Sequence, residues 1–118
     1  MPNIIDIFPP SVIDDSIDSS KLGVEFTESQ AMTTDNVDFS AAAVFTKTIS
    51  GATTLTFSNV STGMVKTLVM SGDFSLGLPA YVKVISGEYS GSATTNFIQL
   101  ISTNDSTEVF ATISNYTV

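Results

Sequence analysis

The chain is 118 residues long with a net charge of −8: 12 Asp and Glu face four cations, and Cys, His and Trp are absent. That length fits one domain large enough to bury a core. The composition excludes disulfides, thiolate metal sites and every nucleophilic triad that needs His or Cys. The four lysines cannot cluster enough charge to displace phosphate counterions, so neither nucleic acid nor an anionic membrane surface is an expected partner.

The first residues, "MPNIIDIFPPSVIDD", place Ile4, Ile5, Ile7 and Phe8 directly before Pro9 and Pro10. This run is too short for a helix and too proline-bound for an inner strand. It reads as the apolar anchor of an extended arm, stiffened by the two prolines and followed by the acids Asp14, Asp15 and Asp18. Residues 1–40 hold eight acids against Lys21 alone, whereas residues 41–118 are nearly neutral. The composition shift predicts an N-terminal arm or linker over residues 1–36 and a β-module over residues 37–118. Asp6 and Pro9 interrupt the apolar run, so no secretory signal is expected, and no stretch approaches a spanning helix. The expected place of folding is the cytoplasm.

Downstream, "GVEFTES" and "DNVDFS" each predict a short strand. Period-two alternation then recurs in "VFTKTI", "TTLTFSN", "MVKTLVM", "AYVKVIS", "TNFIQLIS" and "TEVFATI". Each run ends in turn chemistry such as Ser50-Gly51, Ser61-Thr62-Gly63 or Ser90-Gly91-Ser92. Short strands at this spacing predict an all-β fold, a small antiparallel β-sandwich or barrel with an extended N-terminal arm. The expected core is Leu55, Phe57, Val65, Val82, Val84, Phe97 and Val109. Several strands are apolar on both faces, Leu68 and Met70 against Val65 and Val69, and Ile98 and Leu100 against Phe97 and Ile101. Two apolar faces imply two buried faces.

Catalytic chemistry finds little support. The carboxylate pairs Asp105 with Glu108 and Asp73 with Glu88 sit in turn-rich sequence, where acids are ordinarily solvated. Neither "DDSID" nor "DNVD" has the spacing that wraps a calcium ion. No enzyme activity, metal or cofactor is expected.

Residues 44–70, "VFTKTISGATTLTFSNVSTGMVKTLVM", resemble a recurring β-module of bacteriophage virion proteins, found in distal tail fibres and other particle-surface proteins. "TTLTFSN" carries most of the resemblance. "GLPAYVKVISGEYSGSATTNFIQLIS" and "STNDSTEVFATIS" extend it over residues 41–118, with a shortened loop, "SGDFSLGLP", and no terminal tryptophan. The resemblance implies a virion structural protein displayed on a particle, commonly as a homotrimer, with nothing catalytic carried over. A module that forms nearly the whole chain behind a short arm suits a capsid decoration or cement protein. Its expected partners are the major capsid protein or other virion subunits, with Ile4, Ile5, Ile7, Phe8, Pro9 and Pro10 as the anchor. The alternative is a tail-fibre or receptor-binding tip recognising the host surface.

Overall fold

The computed structural model describes residues 22–118. A single-turn helix, α1 (Val24–Thr27), leads into β1 (Ser29–Ala31), β2 (Asn36–Asp38) and β3 (Val44–Thr48). Then come β4 (Thr53–Thr54), β5 (Thr56–Ser58), β6 (Val65–Ser71), β7 (Leu76–Gly77) and β8 (Val82–Ser86). Two long strands, β9 (Thr95–Asn104) and β10 (Glu108–Tyr116), end the chain. The all-β expectation holds.

The direction of pairing does not follow the expected antiparallel sandwich or barrel. A six-stranded sheet has the order β1-β3-β6-β9-β10-β8. Its first three strands run parallel, and only β9 pairs antiparallel, with β6 on one side and β10 on the other. Two small parallel sheets, β2-β5 and β4-β7, complete the fold. The chain therefore winds in coils, each strand lying beside its counterpart in the previous turn. Val44 faces Thr67 and Thr53 faces Leu76, the same 23-residue offset on two sides of the coil. A parallel pair needs a crossover of a dozen or more residues. Here the rest of the coil, β4 and β5, supplies it. Period-two alternation identifies strands but carries no information on their direction, which is why the sequence pattern suggested hairpins.

The corner at Leu55 shows how one apparent strand becomes two. In "TTLTFSN", β4 pairs with β7 while β5 pairs with β2. Leu55, between them, donates its N–H to the Gly77 carbonyl at 2.9 Å and buries its side chain at 1% exposure. The interior is filled by Val37, Phe39, Phe45, Leu68, Ile98 and Val109, each fully buried. Burying one such side chain contributes about 1.5–3 kcal/mol. Rings meet from coil to coil, Phe39 tilted against Phe57 at 5.2 Å and Phe57 edge-to-face with Tyr81 at 6.3 Å between centroids.

Several expectations shift. "GVEFTES" forms α1 rather than a strand, and β1 begins only after it. Ser29–Ala31 already belongs to the main sheet, so the folded body starts upstream of Val37. Of the expected core, Leu55 and Val109 are buried, and Phe57 and Val82 pack against the buried cluster. Val65, Val84 and Phe97 are instead exposed. The inward phase of β6 runs through Lys66, Leu68 and Met70, and that of β9 through Asn96, Ile98, Leu100 and Ser102. A polar residue opens each inward row, which makes the opposite phase look more like core.

Two glycines separate backbone need from mere tolerance. Gly72 has a φ of +120°, and a Cβ there would strike the Ile49 carbonyl oxygen, whereas Gly51 has open space around it. Gly72→Ala is expected to destabilise the protein by at least about 2 kcal/mol, through strain and collision. Gly51→Ala should stay within about 0.5 kcal/mol of the parent. Urea unfolding followed by circular dichroism compares the two directly.

Candidate functional site

Four of the described carboxylates, Asp35, Asp38, Asp105 and Glu108, are engaged in contacts within the fold. Asp105 accepts from the Thr62 N–H at 2.8 Å and the Thr62 hydroxyl at 3.0 Å, tying two loops together. Glu108 accepts from Lys83 Nζ at 2.8 Å and from the Thr103 hydroxyl at 2.6 Å, and these donors hold its pKa below the usual carboxylate range. Asp38 accepts from Asn59 Nδ2 at 2.7 Å and from the Ser40 hydroxyl at 2.6 Å, with the same effect on its pKa. Asp35 pairs with Lys47 at 3.5 Å. Asp73 lies beside Gly91 and raises the Tyr89 pKa, an effect smaller than that of the ring's burial. Among the described residues, no group of three or more Asp, Glu, His or Cys side chains is placed to hold a metal ion.

Lys66 is the side chain that the sequence reading missed. It points inward from β6 in phase with Leu68 and Met70, and only 1% of its surface is exposed. Its ammonium donates to the Glu25 carbonyl oxygen of α1 and sits 5.5 Å from the centre of the Phe26 ring. Desolvation lowers its pKa, with the Glu25 carboxylate partly opposing that shift. The Glu28 carbonyl accepts from the N–H groups of Ala43 at 2.8 Å and Val44 at 3.2 Å. Residues 25–28 are thus clamped to the start of β3 and β6. The clamp fixes where the chain enters the body, and it leaves Leu22, Val24 and Phe26 exposed there. The signal was a lone cation inside "MVKTLVM", in phase with the apolar residues that prove to be buried.

A second feature is the outer face of the main sheet. Val65 lies opposite Ile101, and Ile101 opposite Phe110, across β6, β9 and β10. With Ile85 they line a shallow groove of about 250 Å³. The expected anchor residues, Ile4, Ile5, Ile7, Phe8, Pro9 and Pro10, lie outside the described residues, as does the acidic run Asp14, Asp15 and Asp18.

Comparison with protein-family models, curated proteins and solved structures finds no significant match.

Because the folded state holds the Lys66 proton less tightly than the unfolded chain does, the unfolded state binds more protons as pH rises toward the ordinary lysine range. The contribution of this residue to stability therefore increases with pH in that window. Urea midpoints measured from about pH 7 to about pH 9, where tyrosine stays largely protonated, should show a smaller rise in Lys66→Met than in the parent. Amide exchange at Phe26, whose N–H donates to the Gly23 carbonyl at 2.9 Å, should quicken in the same variant. An unchanged pH slope would remove Lys66 as the titrating group.

Proposed function

We propose that this chain is a bacteriophage virion structural protein, a capsid decoration or cement protein held on the particle by its N-terminal arm. The major capsid protein, or another virion subunit, is its partner, and copies associate as a homotrimer. The observation that carries the reading is the clamp at α1. It ties the root of the N-terminal segment to β3 and β6, so an anchor upstream would pass its load to the main sheet. The resemblance of residues 44–70 to phage surface modules supplies the particle. The commitment of Asp105, Glu108 and Asp38 to hydrogen bonds within the fold supports a structural role over catalysis.

In this reading Ile4, Ile5, Ile7 and Phe8 bury against the partner. Pro9 and Pro10 limit the unfolded freedom that docking would remove. Asp14, Asp15 and Asp18 meet cations on the capsid surface.

Deleting residues 2–13 is expected to leave a folded body that no longer binds purified particles. The body is followed by circular dichroism and binding by co-sedimentation. Undiminished decoration by the truncated chain would overturn the anchoring role. Abundance on particles tests location: a copy number comparable to the major capsid protein is expected, whereas a few copies with binding to host cells would favour the tail-fibre tip.

A further inference from the structure

We infer that the outer face of the six-stranded sheet is the surface on which a second copy of this chain docks. The inference deepens the self-association contained in the proposed function and does not depend on which particle is decorated.

The face is apolar where solvent would ordinarily select charge. Val65 is 57% exposed, Ile85 65%, and Phe97 and Ile101 43% each. In register they form two apolar rows, Val65–Ile101–Phe110 and Val69–Phe97, separated by the uncharged row Thr67–Gln99–Thr112. A contiguous exposed patch of this kind marks an interaction surface, unlike a single exposed leucine. Its inner counterparts Leu68, Ile98 and Leu100 are already buried in the body, so the described residues of one copy leave the outer rows exposed.

Charge identifies the occupant. The chain carries −8, so two copies repel in most orientations. The outward side chains of β6 and β9 contain no carboxylate and no ammonium. On the adjoining strands, Lys47 of β3 stands in register with the inward Met70 and pairs with Asp35, while Lys83 and Glu108 neutralise each other at 2.8 Å, with Lys83 lying 5.8 Å from the Phe110 ring centre. A basic partner would meet only Glu108, already paired with Lys83, whereas an identical neutral face is compatible with itself. Copies arranged about a common axis can turn this same face toward one another without repulsion.

The size agrees. Six strands at about 4.8 Å spacing span roughly 29 Å, and a seven-residue strand such as β6 extends about 23 Å. The flat footprint is roughly 650 Å², and a side-chain-studded surface presents more accessible area than its footprint. A stable interface needs about 800 Å² per partner.

The test uses the full-length chain in light scattering and sedimentation at about 10–100 μM. The parent is expected at a multiple of its 12.5 kDa mass. Phe97→Lys and Ile101→Lys should each weaken association at least ~10-fold, as expected for a charge placed in an interface centre. Phe97→Leu should retain association. Circular dichroism should show all three folded, since neither side chain is in the core. A parent that stays monomeric throughout, or lysine variants that associate like the parent, would overturn the inference. So would a monomeric parent that binds an apolar dye only after residues 2–21 are deleted, because the face would then belong to the chain's own N-terminal segment. Particle binding is scored separately on the same proteins, so loss of decoration and loss of self-association are distinguishable.

Discussion

Everything in this fold depends on each coil lying in register on the one before it. The interior admits few side chains per layer, so a slip of one residue would turn Phe45 or Leu68 outward and Thr46 or Thr67 inward. The common 23-residue offset of β3 with β6 and of β4 with β7 expresses this constraint on two sides of the coil. The ring contacts of Phe39, Phe57 and Tyr81 express it between coils. Outside the interior, Thr56 donates to Asn36 Oδ1 at 2.8 Å and Asn36 donates to Ser58 at 3.0 Å, a polar version of the same registration. Once register is set, the loops follow. Asn96 closes the loop at Ser90 with two hydrogen bonds of 2.9 Å, and Tyr89 donates to the Gly72 carbonyl at 2.8 Å.

The two surfaces with functional promise stand at different places on this frame. One is the entry point of the chain, where α1 meets Lys66. The other is the outer side of the sheet that the coils share with the terminal hairpin. Neither is a pocket with convergent polar groups, the ordinary form of a small-molecule site. Both suit contact with other protein subunits, one through a tethered segment and the other through a broad neutral face.

Much of the secondary structure was legible in the sequence. Alternation located β3, β6, β8, β9 and β10, and Ser/Gly spacers marked the turns between them. Direction was not legible, because Thr, Val and Phe suit parallel and antiparallel strands alike. The coil repeat was hidden as well, since stacked positions such as Thr53 and Leu76 share a place without sharing chemistry. Facing was inverted for β6 and β9, where Lys66 and Asn96 occupy inward positions that hydropathy assigns to solvent. An inward lysine becomes tolerable only once α1 brings a carbonyl and an aromatic ring to it, and that contact spans 41 residues of sequence. The two-sided apolar character of the same strands was legible, and it is the source of the outer face.

The order in which the strands are joined also has a mechanical consequence. Nine residue pairs join β10 to β9 and six join β9 to β6, but only three join β1 to β3. Coiled repeats gain stability largely from their immediate neighbours, so the main sheet is graded, firmest at the hairpin and weakest at its β1 edge. A pull applied through the first residues therefore meets the weakest edge first. The sheet would peel strand by strand from its β1 edge while the hairpin end stayed paired, so a subunit tethered by its beginning would dissipate strain before its last strands parted.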